Sequence, residues 1–203
     1  MQIEYEATYP NVDKEEMRRK LQTAGASLVR PEYLQKRVVF NLPEGLDLKG
    51  GWLRVRDEGN RITMSLKVVD GEGIASQREV LLAVDNFEKA DELLTLLGAP
   101  KKAYQENKRE LWMINGVEIT IDEWPFLEPF IEIEGSSEDT VKKTSEILGF
   151  DYGKALFCSV TTLYSKKYGL PDATINNDIP KIVFDMENPF KSTKRLKGDS
   201  PAP

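Results

Sequence analysis

The feature that most constrains this chain is a period-two alternation of charged and apolar residues that returns in segment after segment. Successive side chains of a strand point to opposite faces, so residues two apart share a face. Glu4, Glu6 and Thr8 share one such face. Arg54 and Arg56 oppose Leu53 and Val55, and Arg61, Thr63, Ser65 and Lys67 oppose Ile62, Met64, Leu66 and Val68. Further on, Glu118, Thr120 and Asp122 oppose Val117, Ile119 and Ile121, while Glu128, Phe130, Glu132 and Glu134 oppose Ile131 and Ile133. In a single strand the pattern describes an ordinary sheet with helices on one face and water on the other. Repeated along the chain, it describes a sheet that closes with its apolar faces outward under helices and its charged faces inward. Unpaired charges are costly there, and a lumen carrying both carboxylates and guanidinium groups is satisfied by a metal ion together with a polyanion.

The elements around these strands follow a loose pattern that occurs three times. A strand is followed by an Asp or Ser at a helix N-cap, an acidic residue three positions later, a short amphipathic helix and a Gly. The first copy runs from Ile3 through Asp13, Glu16 and Leu21 to Gly25, the second from Val80 through Asp85, Glu88 and Leu94 to Gly98, and the third from Phe130 through Ser136, Asp139 and Leu148 to Gly149. Further β segments are expected near 33 to 42, 51 to 57, 61 to 69, 104 to 113 and 116 to 123. Turns separate them, with Asn115-Gly116 the strongest hairpin signal. The sum is an α+β fold, an eight-stranded antiparallel β-barrel with helices packed outside. A fourth helix is expected from about 153 to 168, stopped by Gly169 and Pro171. The domain then covers 1–169, and 170–203 reads as a flexible C-terminal tail in which Ile182-Val183-Phe184 is the one segment suited to docking.

Composition excludes much chemistry. With no His, and Cys158 the only cysteine, a His base, a phosphohistidine, a Ser-His triad and the usual zinc sites are ruled out. Carboxylates, Lys, Arg and a hard cation such as Mg²⁺ or Mn²⁺ remain. A net charge of −6 argues against duplex nucleic acid as a partner, and no apolar run approaches the roughly 20 residues of a membrane span. The opening Met1-Gln2-Ile3-Glu4 has no basic segment followed by an apolar one, so a soluble cytoplasmic protein without disulfides is expected.

Motif order adds a name. Glu4-Tyr5-Glu6 is followed by Leu53-Arg54-Val55-Arg56, Ser65-Leu66-Lys67, Arg78-Glu79, Lys108-Arg109-Glu110-Leu111-Trp112, Ile121-Asp122 and Leu127-Glu128-Pro129-Phe130-Ile131-Glu132-Ile133-Glu134-Gly135. Over about residues 1 to 169 this succession resembles the CYTH superfamily of triphosphate tunnel metalloenzymes, which includes class IV adenylate cyclases, thiamine triphosphatases and inorganic triphosphatases. The resemblance implies an eight-stranded tunnel, divalent metal (Mg²⁺ or Mn²⁺) and a small-molecule triphosphate, with a homodimer as a further expectation. Glu4 and Glu6 match an N-terminal Glu-x-Glu-x-Lys signature and, with Glu132, Glu134 and Asp122, form the implied catalytic and metal-holding set. Arg54, Arg56, Lys67 and Arg109 match phosphate-binding positions, and Arg37, Arg78 and Lys108 extend that set. Glu79 either lines the tunnel or pairs with a neighbouring base.

The implied activity is metal-dependent hydrolysis of inorganic tripolyphosphate, a nucleoside triphosphate or thiamine triphosphate. Cyclisation of ATP to cyclic AMP and pyrophosphate uses the same residues but needs an adenine pocket, for which only Tyr33, Tyr104 and Trp124 offer rings. One departure from the pattern opens a third reading. Thr8 stands where the signature has Lys, so the barrel could instead be a non-catalytic polyphosphate or nucleotide-binding module. Leu81 and Ala83 also leave their strand less acidic than the resemblance implies.

Overall fold

Along residues 1–191, which a computed structural model describes, the chain runs β1 (Gln2–Ile3), β2 (Tyr5–Tyr9), α1 (Lys14–Thr23), β3 (Ser27–Phe40), β4 (Gly51–Asp57), β5 (Ile62–Val69) and β6 (Gln77–Val84). It continues through α2 (Phe87–Leu96), β7 (Lys101–Ile114), β8 (Val117–Glu123), β9 (Phe130–Gly135), α3 (Glu138–Ile147), α4 (Val160–Tyr168), α5 (Asp172–Asp178) and β10 (Lys181–Ile182). The strands follow the order β1-β6-β5-β4-β3-β7-β8-β9-β2, antiparallel throughout. Because β1 and β2 are one N-terminal strand interrupted at Glu4, its first half on β6 and its second on β9, that order is a nearly closed circuit. Counted this way the barrel has the eight strands expected.

The polarity of the barrel is inverted, as the alternation requires. Outward-facing Ala7, Tyr9, Ile119, Ile121, Ile131 and Ile133 pack beneath α1 and α3 with Met17, Leu21, Val141 and Leu148. A second cluster joins Val38, Phe40 and Val55 to Ala90 and Leu94 of α2. Each of these three helices is seated by its cap: Asp13, Asn86 and Ser137 accept from the backbone N–H three residues on. The second and third caps lie one residue beyond the expected Asp85 and Ser136.

Three expectations need correction. β3 starts at Ser27 instead of near 33, because register shifts between Leu28 and Arg30 and between Arg30 and Tyr33 absorb Pro31, which has no N–H to offer. The fourth helix starts at Val160 instead of 153, since Leu156 exchanges two backbone hydrogen bonds with Thr8, at 2.9 and 3.0 Å, and is held extended along β2. Most of the expected tail is part of the fold. Here α5 and β10 follow α4, with β10 pairing in parallel with β7 at Tyr104 and Gln105. The buried Ile175, Ile179, Ile182 and Phe190 join Trp124, Phe130, Leu163 and Tyr164 in a third apolar cluster, and the Phe190 ring stacks on Tyr164 at 4.3 Å and Tyr168 at 4.7 Å. The remainder of the expected tail, residues 192–203, lies outside the described residues. Among those described, no helix is long and apolar enough to cross a membrane.

Candidate functional site

Strand register sorts the luminal charges into two arcs. On one side Arg37 stands opposite Arg56, Arg54 opposite Ser65, and Lys67 opposite Glu79. On the other Glu6 and Glu118 both stand opposite Glu134, Thr8 and Thr120 both opposite Glu132, and Arg109 opposite Asp122. Like charges placed directly across a ladder repel. The barrel therefore carries a guanidinium-rich wall facing a carboxylate-rich one, each under internal repulsion.

The side chains show how far the protein satisfies these charges by itself. Asp122, 0% exposed, is saturated: Arg109 Nε and Nη2 donate to its two oxygens at 2.9 Å, Asn107 at 2.7 Å and the Thr120 hydroxyl at 2.7 Å. The same Arg109 Nη2 reaches Glu132 at 2.6 Å. Arg54 pairs with Glu79 at 3.0 Å, Lys67 with Glu4 at 2.9 Å and Arg56 with Glu58 at 2.6 Å. Arg37 differs from these. Among the described residues it meets no carboxylate at ion-pair distance; it donates to the amide oxygens of Gln35 and Asn107 and lies 4.6 Å over the Trp124 ring. The buried Nε atoms of Arg37, Arg54 and Arg56 and the hydroxyls of Thr8 and Thr63 have no hydrogen-bond partner among the described residues.

Burial and crowding shift the protonation of both walls. Burial drives Glu4 up to about 7 against the pull of Lys67, while the adjoining Glu79, although burial opposes it, is held down at about 2 by Lys67, the Glu4 hydrogen bond and Arg54. Glu6 is pushed well above the carboxylate range by burial and then by Glu132 and Glu134. Burial also raises Glu132 and Glu134, against Arg109 and Lys67 respectively. On the opposite wall, burial and then Arg54 lower Arg56 to about 10, and burial with Arg54 and Arg56 also holds Arg37 well below the ordinary guanidinium value.

Of the residues singled out from the sequence, the barrel brings together Glu4, Glu6, Asp122, Glu132, Glu134, Arg37, Arg54, Arg56, Lys67 and Arg109. Two are corrected. Arg78 lies on the outward face of β6, opposite Ile3, and Lys108 points outward from β7 toward Glu123 at 3.7 Å and the Phe184 ring at 4.9 Å. Each is one residue out of phase with a luminal neighbour, Glu79 and Arg109. Glu128 is also outside, paired with Lys167 at 2.8 Å beside a groove of about 510 Å³ lined by Pro10, Asn11, Leu127 and Leu163. Three luminal residues were not anticipated: Gln35, Asn107 and Glu58. The same period-two rule reaches all three, since each lies two positions from a luminal Arg.

The CYTH domain family model matches residues 2–162, and the chain belongs to that family. No curated protein matches it. Among solved structures, a conserved hypothetical protein from Pyrococcus furiosus is 23% identical, with a TM-score of 0.66 over 79% of this chain and 99% of that one. A putative adenylate cyclase from Vibrio parahaemolyticus is 12% identical, with a TM-score of 0.69 over 81% and 98%. A putative adenylyl cyclase from Hippeastrum, described as having a dominant triphosphatase activity, is 16% identical, with a TM-score of 0.57 over 85% and 99%. At these identities the likeness shows the fold.

Proposed function

We propose that the barrel binds a triphosphate together with Mg²⁺ or Mn²⁺ and hydrolyses its terminal phosphoanhydride bond. The observation that carries this reading is the paired register: Arg37 against Arg56, and Glu6 and Glu118 against Glu134. A polyanion relieves the first arc and a cation the second, and a metal-bound triphosphate supplies both.

The donors available to a metal, Glu4, Glu6, Glu132 and Glu134, are all carboxylates, which suits a hard divalent ion. No three acidic or cysteine side chains among the described residues form a ready-made shell, so these carboxylates would turn toward the ion as it enters. Bound there, such an ion supplies charge neutralisation at a phosphoryl oxygen and lowers the pKa of a water. The basic wall clamps the phosphates: Arg37, Arg54 and Arg56 present planar forks suited to two oxygens each, and Lys67 adds a compact charge. Arg109 reaches the same space from the acidic side, and Asp122, expected among the metal-holding carboxylates, instead orients it, since Arg109, Asn107 and Thr120 occupy both its oxygens. In hydrolysis the water oxygen adds to the terminal phosphorus, the bond to the bridging oxygen breaks, and the water proton passes to a carboxylate.

Cyclisation is the weaker reading because the candidate base-stacking rings are engaged elsewhere. Trp124 lies under Arg37, Tyr33 is covered by Arg30 at 3.4 Å, and Tyr104 packs against the cluster under α2. A binding module has one specific observation in its favour: Thr8, 2% exposed, brings no cation to the space beside Glu132. Incubation with tripolyphosphate, ATP and thiamine triphosphate, in Mg²⁺, Mn²⁺ or EDTA, separates the three. Metal-dependent orthophosphate supports hydrolysis, cyclic AMP with pyrophosphate supports the cyclase, and metal-dependent binding without turnover supports the module.

A further inference from the structure

The turn joining β4 to β5 folds one of its own carboxylates into the barrel. Glu58 is 3% exposed although it sits in a turn, and its two oxygens face Arg56 Nη2 at 2.6 Å and Arg61 Nε at 2.7 Å. The turn is pinned in that position. Arg30, stacked on Tyr33, donates to the Glu58 backbone carbonyl at 2.7 Å and to the Asn60 side chain at 2.6 Å, and Gly59 takes a left-handed φ of +83° that lets the chain reverse.

We propose that Glu58 is a specificity-determining residue, an internal anion that covers Arg56 and that an entering phosphate chain must displace. This rests on the triphosphate-binding reading above and adds to it a selection by chain length. A carboxylate and a phosphate satisfy a guanidinium fork in the same way, so the two compete for Arg56. The displaced Glu58 keeps a partner, because Arg61 is 58% exposed and can follow it toward water. A triphosphate has enough oxygens to engage Arg37 and Arg54 first and then contest Arg56. Orthophosphate and pyrophosphate have fewer and are disfavoured by the same contact.

The test is calorimetric titration of the full chain and of its Glu58→Gln and Glu58→Asp variants with tripolyphosphate, pyrophosphate and orthophosphate, in EDTA and again with Mg²⁺. Glu58→Gln should tighten pyrophosphate binding by on the order of tenfold, the low end for a close buried charge pair, and tripolyphosphate by less, so that the preference for the longer chain narrows. Glu58→Asp keeps the charge but is one methylene too short to span both partners, and it should behave like Glu58→Gln. An unchanged preference in both variants overturns the proposal, and so does an Asp variant that matches the wild type while Gln does not, since that pattern reports net charge and not contact. If the wild type binds tripolyphosphate in neither buffer, the reading of the barrel as a triphosphate site fails as well, an outcome distinct from binding without a change in preference.

Discussion

Glu4 makes the metal-free barrel less stable as pH rises. Its carboxyl is held at about 7 in the folded chain against an ordinary value of 4.5, so between those two values the folded state binds a proton that the unfolded state has released. Stability is then fully present below pH 4.5 and is lost as pH climbs through 7. Raising the value by about 2.5 at about 1.4 kcal/mol per pH unit gives about 3.5 kcal/mol, and roughly 3 kcal/mol once solvent screening of this partly exposed group is allowed for. Glu6, Glu132 and Glu134 are raised as well and act in the same direction, whereas Glu79, held down, matters only below 4.5. For a domain of this size, 3 kcal/mol corresponds to a fall in Tm of about 6–12 °C. The assay is thermal unfolding in EDTA from pH 4.5 to 8.5, comparing the wild type with Glu4→Gln. The variant should match the wild type at the acid end and exceed it by about that interval at the alkaline end. A flat wild-type profile, or two curves that fall in parallel, refutes the reasoning.

Other perturbations separate the two walls and the outer packing. Glu132→Ala with Glu134→Ala should abolish metal-dependent turnover while leaving circular dichroism and Tm at the wild-type level or above; loss of folding would mean that the pair is structural. Arg54→Ala should weaken tripolyphosphate binding on the order of tenfold or more, and pyrophosphate less, by titration calorimetry. Thr8→Lys should raise turnover by up to a few hundredfold if the chain is an enzyme missing one electrostatic contact, and should change affinity alone if it is a binding module. Phe190→Ala should destabilise the fold by about 3–5 kcal/mol in urea melts, because the ring is fully buried between Tyr164 and Tyr168.

What the sequence made legible was whatever a local rule governs. Period-two alternation placed Glu6, Arg54, Arg56, Lys67, Glu132 and Glu134 on one surface, and their convergence follows once the sheet closes. The rule failed where motif order took precedence over phase. Arg78 and Lys108 are adjacent to luminal residues in the chain, and adjacency in a strand means opposite faces. Partners were not legible at all. That Asp122 is saturated by Arg109, Asn107 and Thr120 depends on which strands become neighbours, and the bonds that pin the Glu58 turn come from Arg30, distant in sequence. The C-terminal segment was misjudged because its prolines and Asn176-Asn177 are turn signals, and because its buried residues are divided among short elements: Ile175 lies in α5, Ile179 in the link, Ile182 in β10 and Phe190 beyond it, so no one element carries a full apolar face.

The inverted barrel separates the origin of stability from the origin of chemistry. Apolar burial lies outside the sheet in clusters beneath α1 and α3 and beneath α2, and a third cluster joins α4 and α5 to Trp124 and Phe130. The lumen contributes repulsion that only part of its own ion pairing offsets, and a buried pair stabilises little even when it is well made. Luminal substitutions can therefore alter ligand choice without unfolding the protein, provided the backbone ladder and the outer clusters stay intact. Thr8 illustrates the margin. Its backbone is tied to Leu156 on one edge and pairs with Glu132 on the other, while its hydroxyl has no partner among the described residues. The strand is held by main-chain bonds that any residue would make, so the side chain at this position is free to vary without unfolding the strand.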